Sequence, residues 1–473
     1  MIERSTEIAV VGSGAGGATT AAVLAAAGRD VLVLEEGPAL AAGAVEPFSI
    51  EEMTRSYRHQ GSSAALGLPP VAYAEGRCVG GSTEVNSGLW NRLPDALAAR
   101  WRQERALDGF DDQTLARYAT LVEGWLEVSS VPGELPPSSL VLERGAQALG
   151  WRHEEFPRAF RYDERGRGTK QTMSRTVLPR AVNAGAEVVP DTKIDRLVRS
   201  GPRVVALEGQ QRQPDGRSVP VRIRADQVVV CGGAVQTPAL LQRSGLRHGI
   251  GPGLKVHPTI KVVARVPEVL DHDDVPMERI TEFAPGIAIG GSASRRGHIG
   301  LALSDAGADV EALLADWEHR FVYYACIRSD AGGHVRAVPG LATPLVTYRL
   351  TDGDLSRLAR GLVHLGEALF AAGATELHAS ATGAPVARSI DDLVAWWAAV
   401  DRRRANLMTV HLTSSVRMDE RRAGGVDSFG AVKGVDNLRV SDASILPEAP
   451  GVNPQAAIMT LAARNADHLL GAL

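Results

Sequence analysis

The sequence predicts an α/β molecule with two sheet layers. One is a parallel sheet with helices packed against it. The other is a mixed or antiparallel sheet backed by helices and assembled from separate stretches of chain. Three observations predict this. An apolar run near the N-terminus enters a glycine-rich turn and a small-residue helix. Two later apolar runs end in similar turns, each followed by a helix. Between them lie alternating strand candidates followed by helical stretches.

At 473 residues the chain is too long for one compact core and suits two joined domains. Hydrophobic residues make up 44% and charged residues 22%, the proportions of an ordinary globular protein. The net charge of −4 supplies no basic field for nucleic acid or an anionic membrane. Cys78, Cys231 and Cys326 are widely spaced and show no C-x-x-C pattern, so neither a disulfide framework nor a metal site is expected. The first residues run into a strand with no apolar signal core. The Ala-rich stretch Ala18–Ala27 is about half the ~20 residues of a membrane span. A cytoplasmic protein without a membrane span is the expectation.

The first element is Ile8–Val11, apolar and β-branched like a buried parallel strand. It enters Gly12-Ser13-Gly14-Ala15-Gly16-Gly17, with glycines in the G-x-G-x-x-G positions at Gly12, Gly14 and Gly17. A helix beginning near Ala15 runs to about Ala27, Gly28 suits its C-terminal cap, and a second strand, Val31–Leu34, ends at Glu35. Gly12 permits the turn, Gly14 lets backbone amides approach a pyrophosphate, and Gly17 lets the helix pack on the strand. Phosphates would sit at the helix N-terminus, where unpaired amides and the helix dipole favour negative charge. Glu35, 23 residues after Gly12, is placed to accept hydrogen bonds from a ribose. This Rossmann-like unit alone does not separate NAD from FAD.

Three further segments follow. Gly76–Asn86 reads Gly-Arg-Cys-Val-Gly-Gly-Ser-Thr-Glu-Val-Asn, and its paired Gly80 and Gly81 would let main chain approach a flat ring while Ser82 offers a hydroxyl. Val228–Cys231 is a strand entering Gly232-Gly233, after which Val235-Gln236-Thr237-Pro238 opens a helix with the proline near its first turn. Asn437–Pro447 is a strand running into a polar turn, and Gly451-Val452-Asn453-Pro454 starts a last helix from Gln455 to about Leu470.

These segments, in this order and over the whole chain, closely resemble the glucose–methanol–choline (GMC) family of FAD-dependent oxidoreductases. The resemblance implies an FAD-binding domain of residues 1–90, 181–255 and 426–473, with residues 91–180 and 256–425 forming the substrate domain. It implies that Gly80, Gly81, Ser82 and Asn86 lie near the flavin and that Asp442 lies near the ribityl and phosphate groups. The Asn453-Pro454 helix start would present amides to the ring's electron-rich edge. It also implies a catalytic pair. Val410–Asp419 fills the family's histidine segment, with Ser414 and Asp419 standing where glycines are usual, and Asn453 fills the second position. His411 would take the hydroxyl proton near neutral pH while Asn453 holds the oxygen. Val85 stands where choline-oxidising relatives carry the histidine that tethers FAD, so the FAD is expected to be non-covalent.

The implied activity is oxidation of an alcohol by hydride transfer to flavin N5, with oxygen, a quinone or another acceptor taking the electrons. A sugar, amino sugar or glycoside is the expected substrate, and a sterol or long-chain alcohol the alternative. A different class, cyanohydrin-type lyases that keep FAD, shares the resemblance. The acidic stretch Asp271–Asp274, with Glu278 and Glu282, reads either as a solvated loop or as an entrance for a cationic or polyhydroxyl substrate. His257, before Pro258, matches another recurrent segment and reads as structural.

The remaining elements are expected as follows. Helices are expected at Ala96–Arg105, Gln113–Leu126 and Ser139–Leu149, then at Gly353–Ala372 and Ile390–Ala405. Strands are expected at Thr259–Val266, Phe283–Ile289, Ile299–Ser304, Phe321–Arg328 and Leu345–Leu350.

Overall fold

A computed structural model describes residues 1–41, 43–421 and 424–473. The N-terminal strand, Ile2–Val11, lies at the centre of a seven-stranded sheet between Val31–Leu34 and the long strand Ser218–Val230, parallel to both. Glu187–Val189 extends the sheet on one side, and Leu438–Val440 pairs with Ser218–Val230 on the other. Every residue of Val31–Leu34 and the last four of Ile2–Val11 are buried, which is why these strands read as unbroken apolar runs. Thr192–Ser200 and Arg203–Arg212 complete the sheet as an antiparallel meander.

The second sheet has nine strands around Thr259–Arg265 and its antiparallel neighbour Arg320–Ile327. The helix Asp352–Ala371 covers its back, burying Leu355, Leu358, Leu362, Leu365 and Leu369 at helical spacing. A capping box starts this helix, with Thr351 and Asp354 each accepting the other's backbone N–H. Ser63–Ala65 and Val71–Tyr73 also join this sheet, although they precede the Gly76–Asn86 segment in the chain.

Four local expectations need correction, the first being the strand expected at Phe283–Ile289, which is turn up to Gly286 and strand only from Ile287 to Gly291. Ile299–Ser304 is not a strand but part of the helix Arg296–Asp305. Ile299, Leu301 and Leu303 alternate like a strand, yet the buried set is Ile299, Ala302 and Leu303, and Leu301 is 57% exposed. The helix expected at Ile390–Ala405 ends at Ala399. Pro238 lies inside the helix Gly233–Arg243 rather than in its first turn. Proline has no N–H for the carbonyl of Ala234, four residues back, and the Ser415 hydroxyl donates to that oxygen instead at 2.6 Å.

Candidate active site

The glycine turns, the ends of the parallel strands and one face of the second sheet enclose a cavity of about 760 Å³. Its size falls in the ~300–1,000 Å³ range of small-molecule sites. At one end, Gly12 has φ +105°, and a Cβ there would lie 2.4 Å from the Cys231 carbonyl oxygen. A Cβ on Gly17 would lie 2.0 Å from the Gly12 carbonyl oxygen, the close helix–strand packing expected of it. Gly14 differs: a Cβ there would meet the Cα of Gly81 at 3.9 Å, an ordinary contact. It precedes the helix Ala15–Ala26, which has no side-chain cap, so the first amides are left for a ligand. Gly16, given no role by the sequence pattern, is the most crowded, since a Cβ would sit 1.8 Å from the Ser441 carbonyl oxygen.

Glu35 accepts from Ser13 N at 3.0 Å, Ser13 Oγ at 2.6 Å and Gly37 N at 2.9 Å. Burial pushes its carboxyl up against these bonds. Neighbouring Glu36 is held down at about 2: burial works against its ionisation, but Arg58 overcomes this by hydrogen bond and charge. Gly80 and Gly81, at φ +95° and +58°, back onto the first loop, with Gly80 N donating to Ser13 Oγ at 3.0 Å. The Ser82 hydroxyl accepts from Gly76 N at 3.0 Å. Asn86 donates to Gln455 Oε1 at 2.6 Å, tying this segment to the last helix. Asp442 lines the cavity, but its carboxylate is filled by the scaffold: Gly233 N, Thr237 Oγ1, Ser444 N and Ser444 Oγ all donate to it.

At the other end His411 and Asn453 meet. Asn453 Nδ2 lies 3.3 Å from His411 Nε2, and Pro454 leads into the helix Gln455–Leu470. His257, which the sequence marked as structural, touches the pair directly: its Nδ1 lies 2.9 Å from His411 Nδ1, and its Nε2 accepts from Gly451 N at 3.0 Å. An N–H can only donate, so His257 Nε2 is bare and its hydrogen sits on Nδ1. That hydrogen points at His411 Nδ1 and leaves the hydrogen of neutral His411 on Nε2, which the Asn453 side chain can accept only with its amide oxygen, not its nitrogen, turned to the ring. Desolvation by burial, helped by the positive charge of Arg279, lowers the His411 pKa to about 4. This is well below the near-neutral value expected of a free imidazole. Ser414, where the family usually has glycine, has φ +72°. The acidic stretch is occupied elsewhere. Asp273 pairs with Arg295, Asp274 with Arg158, Glu278 with His153 and Glu282 with Arg152.

The chain matches the GMC oxidoreductase family over residues 53–259 (its N-terminal module) and 331–462 (its C-terminal module), and an NAD(P)-binding Rossmann-like domain over residues 10–63. The uncharacterised GMC-type oxidoreductase y4nJ of Sinorhizobium fredii is 39% identical over 99% of this chain and 95% of its own. The chain belongs to the GMC oxidoreductase family. Two other GMC relatives have named activities. The 5-(hydroxymethyl)furfural oxidase of Methylovorus sp. is 27% identical over 85% of this chain and 83% of its own. The long-chain-alcohol oxidase FAO3 of Arabidopsis thaliana is 25% identical over 96% and 66%. Pyridoxine 4-oxidase from Mesorbium loti shares the fold, with a TM-score of 0.75 at 19% identity over 98% of this chain and 99% of that one.

As a GMC oxidoreductase the chain takes FAD, and the residues present fit it. Gly12, Gly14 and Ala15 line the cavity beside the uncapped first turn of the helix, and the cavity runs from Glu35 to Asn453. Among the described residues no helix is long and apolar enough to cross a membrane.

Proposed function

We propose that this GMC enzyme oxidises a CH–OH group held between His411 and Asn453. The observation that carries the reading is the 3.3 Å contact of His411 Nε2 with Asn453 Nδ2 at the cavity wall. Gly12, Gly14, Ala15, Gly17 and Glu35 would hold the adenosine and diphosphate part of FAD. Gly80, Gly81, Ser82, Asn86, Asp442 and Pro454 would surround the flavin part. Bound there, FAD supplies the acceptor for the hydride that leaves the carbinol carbon.

The protein's own contribution is to hold the hydroxyl and take its proton. Asn453 offers an amide donor to the oxygen as charge develops on it. For His411 to accept the proton at Nε2, its hydrogen must first move to Nδ1, so the contact with His257 opens as substrate seats. In this reading the two imidazoles are the part of the site that rearranges during turnover.

A sugar-like or glycosidic alcohol is the preferred substrate. Lys261, Ser292 and Asn406 give the substrate side of the cavity a polar wall. The long-chain-alcohol oxidases and the 5-(hydroxymethyl)furfural oxidase among the relatives make fatty and furanic alcohols the other arms of a screen. The test is anaerobic mixing of the FAD-loaded protein with these alcohols. Loss of the flavin's visible absorbance is expected with at least one class, followed by recovery on admitting oxygen or a quinone. His411→Ala should slow the bleaching by about 10²- to 10⁴-fold with FAD content unchanged. Turnover of a cyanohydrin with the flavin left oxidised would point to a lyase instead.

A further inference from the structure

We infer that the substrate carries a carboxylate, received by Arg279 at the substrate end of the cavity. The inference rests on the oxidation site proposed above and names its substrate class. Arg279 lines the cavity that holds His411 and Asn453, yet is only 2% exposed. Its Nη1 donates to the carbonyls of Pro276 at 2.8 Å and Glu278 at 2.9 Å and the Tyr324 hydroxyl lies near the guanidinium, but no well-formed hydrogen bond reaches the buried Nη2 among the described residues.

Other arginines with an unpartnered nitrogen, such as Arg58, Arg100, Arg222, Arg295 and Arg357, each have a carboxylate beside them. Among the described residues no carboxylate pairs with Arg279. Lys261, another cation on the same wall, is neutralised by Asp305 at 3.0 Å. A buried guanidinium with neither counter-ion nor full hydrogen bonding is costly. A ligand anion would remove that cost.

The site is built around this side chain. It enters from the strand Glu278–Ile280, and the facing strand carries Gly290, where a Cβ would lie 2.6 Å from Arg279 Cδ and Nε. The rings of Tyr324 and Phe156 flank the guanidinium, with centroids 5.6 and 5.9 Å from Cζ. Guanidinium and carboxylate match as planar, two-pronged groups, which favours a carboxylate over a neutral hydroxyl. His298, whose Nδ1 is also buried and unpartnered, lines the same cavity.

The test uses the FAD-loaded protein and two redox-inert probes of one shape, 4-methylbenzoate and 4-methylbenzamide, with affinities measured by calorimetry. The benzoate should bind at least tenfold tighter than the amide. Arg279→Met should erase that preference, and Arg279→Lys should keep part of it at unchanged FAD content. Gly290→Ala, which crowds the guanidinium but leaves its charge, should also weaken the benzoate. In turnover, 4-(hydroxymethyl)benzoate should exceed 4-methylbenzyl alcohol in kcat/KM, and Arg279→Met should shrink that ratio at least tenfold. Equal affinity for the two probes, undetectable benzoate binding, or an equal loss for both in Arg279→Met overturns the inference. A protein that prefers the benzoate but is bleached by no alcohol would keep the anion site and lose the oxidation reading.

Discussion

At His411 the decisive quantity is the energy of charging an imidazole walled in by protein. Burial and Arg279 bring its pKa to about 4, so the neutral form that can accept a proton persists down to that pH. The acidic limb of kcat/KM should therefore lie near pH 4, with a plateau from there through neutrality. A limb near 6.5, the ordinary histidine value, would contradict it. His257→Ala should open space for water beside the ring, reduce its desolvation and move the limb upward. That His411 and Asn453 would come together was legible because each fills a recognisable slot in a local pattern. The role of His257 was not, because a histidine before a proline carries no mark of a contact 154 residues away. Arg279 gave no signal at all in the sequence, since one arginine in a strand says nothing about whether a carboxylate will meet it.

At the scale of a turn or helix, neighbouring glycines serve different ends. Gly14→Ala should leave folding intact, because its Cβ meets nothing closer than 3.9 Å, but should weaken FAD uptake by narrowing the cavity beside the helix start. Gly16→Ala should damage the fold itself, because its Cβ would overlap the Ser441 carbonyl. Melting curves with and without FAD separate the two. Ser414 holds a left-handed conformation that glycine adopts freely. Ser414→Gly should raise unfolding free energy by up to about 1 kcal/mol, read from the denaturant midpoint. Element types were readable where period and length agreed, as in Val31–Leu34 and Gln455–Leu470. Ile299–Ser304 misled because a six-residue apolar alternation fits a strand and one face of a helix equally well.

For the molecule as a whole, the glycine motifs announced the parallel layer, whereas the second sheet could be expected only as a class. Its strands come from residues 63 to 409, and nothing local says that Val71–Tyr73 will lie beside Leu407–Thr409. The cofactor bears on the stability of the entire chain, because a ligand that binds only the folded form stabilises it by about 2.7 kcal/mol at a hundred times its Kd. Adding FAD to the stripped protein should raise its melting temperature. Acid precipitation should release all the flavin into the supernatant, because Val85 offers no nucleophile for a covalent link. Flavin retained on the washed pellet would contradict that.

The helix carbonyl that Pro238 leaves unclaimed has one more consequence. Ser415, which claims it, lies four residues beyond His411, so the segment bearing His411 is laced to a helix that opens at the dinucleotide end. Removing that hydroxyl would take from the oxygen its side-chain donor, and the disturbance would reach both ends of the cavity by a single stitch.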